Sequence, residues 1–368
     1  MMERSCGRKR KQRAVRSVLA LLVLMIAPMA RAQTDLVDLN SPAIKITAPA
    51  HDFLDAAAMA GRRIVVAGEH GLIAYSDDDG VTWHQSQVPV SVLLTSMAFA
   101  NPKDGWAVGH MGVILHTSDG GATWQKQIDG LDVEKEDLTA AAAVNTSLPT
   151  AALAMRRATM FQKNGPDRPF LAVLAQSHRR AIVVGAYRMA MRTNDGGKVW
   201  DDMSLDILDR LSHNLYGIAA IGSKIYISAE TGIVFRSANG GATFSEVTQP
   251  VNATLFGVTP TADGSILVYG VAGAAFLSHD EGKTWNRVNI NTSSDITAGL
   301  LLKSGAILLA SGTGSLYLSR DNGQRFKSLS QIVPMLLTDL VQMPDGDVVV
   351  TGSRGVKILP KSDFSKAK

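Results

Sequence analysis

The chain has 368 residues, a formal charge of +4 and 46% hydrophobic residues, so it is long enough to bury a large core. The positive charge lies at the start, because residues 1–32 carry eight basic residues and one acidic residue and leave 29 basic and 32 acidic residues behind them. That weakly acidic remainder argues against nucleic acid as the main partner. Cys6 is the only cysteine, so no disulfide stabilises the rest of the chain.

Residues 1–32 have the three parts of a secretory signal. Basic residues precede the apolar run Val18–Ala27, and Ala30-Arg31-Ala32 offers small residues for cleavage before Gln33. The apolar run is shorter than the roughly 20 residues that span a membrane. We therefore predict a Sec-type signal peptide cleaved after Ala32, a periplasmic or secreted location, and no integral membrane span in the mature chain. An uncleaved anchor is the alternative.

A motif of the form Ser/Thr-x-Asp-x-Gly-x-Thr-aromatic recurs six times, and Thr117–Trp124 is its clearest copy. Successive copies are 41, 76, 44, 41 and 41 residues apart. A period near 41 with four short β-like runs per unit is typical of propeller blades. The sequence therefore predicts an all-β fold, a seven-bladed β-propeller that forms a single domain over residues 33–368.

Each motif copy lies between two β-like runs and is predicted to be a hairpin. The Asp accepts hydrogen bonds from the N–H groups of the turn, Gly supplies positive φ, and the aromatic residue covers the turn. We assign these residues a structural role and no chemistry. They are Asp78, Trp83, Asp119, Trp124, Asp195, Trp200, Asn239, Phe244, Asp280, Trp285, Asp321 and Phe326.

The long interval between the second and third motif copies contains the one strongly helical segment, residues 131–167. Asp132–Val144 is rich in Glu, Ala and Leu, and a second helix runs to Lys163 before Gly165-Pro166. Leu153, Met155, Met160 and Phe161 give the second helix an apolar side. Packing onto the propeller rim and a lid or partner-docking helix pair are both consistent with this pattern.

The last blade has only three β-like runs before the chain ends, the third of them at Val356–Leu359. A propeller avoids an exposed sheet edge by closing its ring. The segment Ala43–Ile46 precedes blade one and has the length and alternation of a strand. We predict that it supplies the fourth strand of blade seven.

These turns resemble the Asp-box of bacterial neuraminidase-type repeats. The longer unit Trp106–Trp124 resembles the photosystem II stability/assembly factor family of propellers, and the likeness extends from about Asp52 to Pro360. The resemblance implies a non-enzymatic protein-binding or assembly scaffold for a membrane or envelope protein complex. It also suggests a role beside transport or efflux machinery.

Strand direction sorts the loops onto two faces. Asp-boxes are turns between strands three and four, whereas turns between strands two and three share the opposite face with the insertion. In the resembled family the latter turns tend to supply arginines for docking, and Arg188 and Arg354 match that pattern. The candidate partner-binding residues on this face are Glu69, His70, His110, Tyr187, Arg188, Glu230 and Arg354. Solvated turns with no ligand are the alternative.

The runner-up function is a carbohydrate-active or carbohydrate-binding propeller of the sialidase type. Such a catalytic site needs three arginines, a Tyr–Glu pair and an acid, and the Arg-Ile-Pro segment of that family is absent. Glu69 and Glu230 are the carboxylates that would serve it. The eight histidines are dispersed, and Asp77–Gly80 lacks the twelfth-position acid of a calcium loop. We predict no metal site and no cofactor.

Overall fold

Seven antiparallel sheets follow one another along the chain in the computed structural model, which describes residues 36–146, 149–207, 211–331 and 333–365. The predicted signal at residues 1–32 lies outside the described residues. Each sheet has its strands in chain order, as alternating apolar runs joined by short turns produce. The first strand of each blade contacts the first strand of the next, and the first strand of blade seven contacts that of blade one. The predicted seven-bladed propeller is confirmed.

The strand bounds of the first four blades are as follows. Blade one has β1 Leu54–Ala60, β2 Arg63–Gly68, β3 Ile73–Ser76 and β4 His84–Gln85. Blade two has β5 Leu94–Phe99, β6 Gly105–Gly109, β7 Ile114–Thr117 and β8 Gln125–Ile128. Blade three has β9 Phe170–Ser177, β10 Arg180–Gly185, β11 Ala190–Thr193 and β12 Asp201–Asp202. Blade four has β13 Leu215–Ile221, β14 Lys224–Ala229, β15 Val234–Ser237 and β16 Ser245–Glu246.

The remaining blades continue the same order. Blade five has β17 Leu255–Pro260, β18 Ile266–Gly270, β19 Ala275–Ser278 and β20 Asn286–Arg287. Blade six has β21 Ile296–Leu301, β22 Ile307–Ser311, β23 Ser315–Ser319 and β24 Lys327–Gln331. Blade seven has β25 Leu337–Gln342, β26 Val348–Gly352 and β27 Gly355–Leu359. The described elements also include the α-helices α1 Gly130–Ala143, α2 Pro149–Asn164 and α3 Ser362–Ser365 and seven short 3-10 helices.

The predicted closing strand is not observed. Residues 43–46 form no strand, and blade seven has three strands. The backbone N–H groups of Ala43 and Ile44 donate instead to the carbonyls of Val88 and His70, so this segment lies against blade one. The ring closes through the inner strands, where Thr338 Oγ1 donates to Leu54 O (2.7 Å) and Ala57 N donates to Asp339 Oδ2 (2.9 Å).

The Asp-box hairpins have the hydrogen bonds that their residue types dictate. In blade one the Ser76 hydroxyl donates to Asp78 Oδ1 (2.8 Å), while Thr82 donates through its N–H to Oδ1 and through its hydroxyl to Oδ2. These bonds, the Thr82 hydroxyl foremost, lower the pKa of Asp78 to about 2. Trp83 Nε1 donates to Gly80 O (3.0 Å), so the indole is fixed over the turn.

Candidate functional site

One end of every blade carries a β-bulge at the second residue of its inner strand. In blade one, Leu54 pairs with Gly68 and Ala56 with Ala67, so Asp55 is left without a cross-strand partner. The same shift occurs in the other six blades. The bulged residues, here named the bulge ring, are Asp55, Thr95, Leu171, Tyr216, Phe256, Thr297 and Thr338. Because the bulge lies beside the turn between strands two and three, the ring surrounds the channel mouth on that face, here named the mouth face.

Four of the seven bulge-ring residues are Asp or Thr, and the three threonines among them join neighbouring blades. Thr95 Oγ1 donates to Phe170 O (2.6 Å), and Thr297 Oγ1 donates to Leu337 O (2.8 Å). Thr338 makes the equivalent bond to Leu54 O across the seam between blades seven and one. Each hydroxyl therefore reaches the first residue of the next inner strand, which fixes the spacing of the blades.

The remaining three ring residues, on blades three to five, are one leucine and two aromatic residues. Leu171, Tyr216 and Phe256 are all partly exposed, and the rings of Tyr216 and Phe256 meet edge to face with centroids 5.5 Å apart. These positions lack the threonine hydroxyl that joins the inner strands of blades two, six and seven to the next blade. The mouth is thus amphipathic, with an aromatic arc on one side.

Two carboxyl groups lie at the seam between blades seven and one. Burial, together with the nearby carboxylates of Asp339 and Glu69, raises the pKa of Asp55 to about 7. Burial also raises the pKa of Asp339 to about 6, although the N–H groups of Ala57 and Leu340 donate to its carboxylate. Sequence reasoning missed both groups, because an alternating strand pattern shows neither the bulge at Asp55 nor the approach of Asp339 across the seam.

The turns between strands two and three hold non-glycine residues in a strained conformation. In five of them the middle residue has φ between 51° and 57°, a left-handed region that side chains rarely adopt. These residues are His70, Met111, Tyr187, Thr231 and Ala272. Strain of this kind clusters at binding sites.

The third residue of these five turns distinguishes blade three. Blades one, two, four and five have glycine there, also left-handed: Gly71, Gly112, Gly232 and Gly273. A Cβ on Gly232 would lie 1.7 Å from Val251 O, so a side chain is excluded. Blade three has Arg188 at this position with φ 62°. The left-handed conformation of an arginine costs about 1 kcal/mol or more, which distinguishes Arg188 from the glycines of the other four turns.

Two other predicted residues are joined through Asn214. Asn214 Oδ1 accepts a hydrogen bond from Tyr187 N (2.8 Å), while Asn214 N and Nδ2 donate to the two carboxylate oxygens of Glu230 (2.8 and 3.1 Å). Glu230 of blade four therefore positions Asn214, and Asn214 stabilises the turn of blade three that contains Tyr187. Tyr187 remains 53% exposed.

The other predicted residues lie on the mouth face of blades one, two and seven. Glu69, His70 and Arg354 are exposed there. His110 is also exposed, yet partial desolvation of its ring lowers its pKa. The structure brings Tyr187, Arg188 and Glu230 together on blades three and four, whereas Arg354 belongs to blade seven.

The helical insertion packs on the mouth face beside blade three. Helix α1 begins with a capping box in which Leu131 N donates to Asp129 Oδ1 and Asp129 N donates to Asp132 Oδ2. Arg157 of α2 donates to the carbonyl of Tyr187, and the rings of Phe161 and Tyr187 are 5.8 Å apart. The insertion is therefore tied to the same turn that carries Arg188.

A buried charge cluster lies between the insertion and the propeller. Arg168 Nη2 is 2.6 Å from Asp137 Oδ2, and the guanidinium lies 3.9 Å from the centre of the Phe161 ring. Burial raises the pKa of Asp202 to about 6 and lowers that of Arg157 to about 10, with the like charge of Arg188 contributing to the second shift. Arg188 lines the small cavity here, so the insertion partly covers it. This position was not predictable from sequence spacing.

Among the residues that the structure describes, no helix is both long enough and apolar enough to cross a membrane. Nor do the described side chains include a group of three or more His, Cys, Asp or Glu placed to hold a metal ion.

Comparison with known proteins identifies the family. The family model described as Photosynthesis system II assembly factor YCF48 matches residues 81–147 and 167–292, more than half of the chain. The chain belongs to this family. The predicted resemblance is confirmed.

Individual relatives match over shorter stretches. The Photosystem II assembly lipoprotein Ycf48 of Synechococcus sp. (strain CC9902) is 29% identical over 104 residues, which are 28% of this chain and 30% of the relative. The chloroplastic Photosystem II stability/assembly factor HCF136 of Cyanidioschyzon merolae is 38% identical over 60 residues, 16% of this chain and 14% of the relative. The matches thus span less than a third of the length of these relatives.

Solved structures agree with the fold. A structure described as YCF48 bound to D1 peptide has a TM-score of 0.62 and 18% identity, covering 87% of this chain and 98% of its own. YCF48 from Cyanidioschyzon merolae has a TM-score of 0.59 at 14% identity, covering 84% and 96%. The WD40 β-propeller domain of Doa1 has a TM-score of 0.60 at 11% identity, covering 88% and 97%. At these identities the likeness shows the propeller architecture alone.

Proposed function

We propose that this chain is a non-enzymatic, exported scaffold whose mouth face docks an exposed segment of a membrane protein during assembly of a membrane complex. The observation that carries the proposal is Arg188, a side chain held in the left-handed region where four other blades have glycine. Family membership supports it, since the relatives compared above are named for assembly of photosystem II. Those names give no support to the predicted link with transport or efflux machinery.

The docking region comprises the mouth face of blades three to five. Tyr187 and Arg188 supply an exposed ring and a guanidinium, and the aromatic arc of Tyr216 and Phe256 lies on the adjoining blades. An aromatic surface beside a cation suits an extended segment with apolar side chains and an acidic group. Arg354, exposed across the mouth, would add a second positive contact.

The carbohydrate-active alternative is less well supported. It requires Glu69 and Glu230 as its carboxylates, and both oxygens of Glu230 already accept hydrogen bonds from Asn214. A catalytic acid or nucleophile needs an oxygen directed at the substrate. Release of sugars from a glycan panel, abolished by Glu69→Gln or Glu230→Gln, would establish the alternative.

Arg188→Gly tests the proposal, and unfolding is measured beside binding because Arg188 also lines the cavity beneath the insertion. Glycine is the residue that the equivalent turns use, so the substitution relieves backbone strain while it removes the guanidinium. We expect capture of the membrane-protein partner from detergent-solubilised envelope to fall at least about tenfold at a temperature where the urea midpoint shows the variant to be folded. The matched control is Ala272→Gly, which relieves the same strain in blade five and should leave capture unaltered. Equal capture by the native chain and Arg188→Gly would overturn the docking site.

A further inference from the structure

The outer face of helix α2 carries apolar side chains that are largely exposed. Leu153 is 63% exposed and Met160 is 49% exposed, and as residues seven apart they lie on one side of the helix. The opposite side of the helix carries Ala151, Ala158 and Phe161, all of which are buried. The exposed apolar residues thus belong to the side that faces away from the propeller.

Two leucines belong to the loop that follows blade three, near the insertion. Leu205 lines the small cavity beneath α2 and is 39% exposed, and Leu211 is 79% exposed. Leu211 precedes His213, whose carbonyl accepts a hydrogen bond from Arg188 N, so this loop adjoins the turn to which α2 is tied. Met155 lies on another side of α2, and Leu205 lies beneath the helix, so neither extends its outer face. We name Leu153 and Met160 the insertion patch.

The charge of α2 is entirely positive. The helix contains Arg156, Arg157 and Lys163 and no acidic residue, although the chain beyond residue 32 is acidic overall. Arg157 points inward to the Tyr187 carbonyl, while Arg156 and Lys163 are exposed beside the apolar side chains. Apolar tips with interspersed bases are the surface chemistry of helices that lie on anionic membranes.

The shape of this surface favours a flat partner. The cavity beneath α2 has a volume of about 20 Å³, room for roughly one water molecule, so the helix is seated on the propeller. Its apolar side chains project from a convex helix surface. A peptide or a partner helix is usually gripped in a groove, whereas a lipid surface accepts projecting leucines and presents dispersed negative charge to the bases.

We propose that the insertion patch, with Arg156 and Lys163, binds the surface of an anionic lipid bilayer. Contact through α2 brings the mouth face of blade three next to the membrane. The inference does not depend on the docking role proposed above, because it concerns lipid alone and uses different residues.

Vesicle flotation tests it with the chain from Gln33 onward, which contains every described residue. Vesicles of phosphatidylcholine with one quarter phosphatidylglycerol should bind the protein, and pure phosphatidylcholine vesicles should bind it much less. Arg156→Glu/Lys163→Glu should weaken binding at least about tenfold, since each base near an anionic surface is worth about a fivefold change in affinity. Leu153→Ser/Met160→Ser should also weaken it, and high salt should weaken the native protein.

The control is Lys103→Glu/Lys283→Glu, which makes the same charge change at exposed positions on the Asp-box face. Urea midpoints verify that every variant is folded. Absence of binding to anionic vesicles at low salt would overturn the proposal, as would equal loss in the control. If the α2 variants left vesicle binding unchanged but weakened capture of a membrane protein in detergent, the patch would be a protein surface and the lipid proposal would be wrong.

Discussion

Arg168 and Asp137 form an ion pair that is almost completely buried, with 2.6 Å between Nη2 and Oδ2. Removing one partner leaves an uncompensated charge in a low-dielectric site, so Asp137→Asn or Arg168→Met should lower the free energy of unfolding by about 3–5 kcal/mol. The double variant Arg168→Met/Asp137→Leu should lose less than either single variant. Urea unfolding of the four proteins measures this coupling, and additive losses would contradict it.

The carboxyl pair at the seam of the ring predicts a pH dependence of stability. The pKa values of Asp55, about 7, and Asp339, about 6, are raised above the unfolded value near 3.9. Their contribution to stability is therefore complete below the unfolded pKa and is lost as the pH rises through these values. Asp55→Asn removes one ionisation, so between about pH 5 and pH 8 it should lose less stability than the native chain, by on the order of 2 kcal/mol. Parallel plots of melting temperature against pH would refute the assignment.

The Asp-box tryptophans should contribute in proportion to their burial. Trp124 is 4% exposed and donates to Gly121 O (3.0 Å), whereas Trp285 is only partly buried and donates to Thr248 O (2.7 Å). Trp124→Ala should lower the free energy of unfolding by about 3–5 kcal/mol, and Trp285→Ala by roughly half of that. Denaturant unfolding of the two variants measures both losses. Full stability of Trp124→Ala would contradict a structural role for the indole.

The N-terminal segment should stabilise the propeller through Leu39. This residue is fully buried, and the segment is held by hydrogen bonds from Ser91 N to Asp38 O (2.8 Å) and from Lys126 Nζ to Leu39 O (2.9 Å). Leu39→Ala should lower the free energy of unfolding by about 2–5 kcal/mol. Ile44→Ala, at a residue that is 52% exposed, is the control and should change it by less than about 0.5 kcal/mol. Equal effects of the two changes would contradict this role.

The repeat made the architecture predictable. A motif such as Thr117–Trp124 encodes its own hairpin through local hydrogen bonds, so its spacing reveals the blades. The bulge ring was not predictable, since a bulge at Tyr216 or Asp55 leaves no mark in an alternating strand. The path of residues 43–46 was missed for a related reason: alternation indicates an extended segment but not which sheet edge accepts its hydrogen bonds.

The candidate site was predictable only in part. Counting strands placed Arg188 and the insertion on one face, but the cover that α2 gives to Arg188 depends on long-range contacts such as Phe161 with Tyr187. One signal for the site is present in the sequence. The third residue of the turn between strands two and three is glycine in four blades (Gly71, Gly112, Gly232 and Gly273), and aligning the repeats shows Arg188 in its place in blade three.

Site-specific photo-crosslinking in native membranes tests docking through the mouth face most directly. A photoreactive side chain at Tyr187 or Arg354 lies exposed on the mouth face, and one at Val81 or Ser118 lies exposed on the Asp-box face. We predict that the two mouth-face positions crosslink to one membrane protein, identified by mass spectrometry, and that the two Asp-box positions do not. Crosslinks to that protein from Val81 or Ser118, with none from Tyr187 or Arg354, would contradict the account.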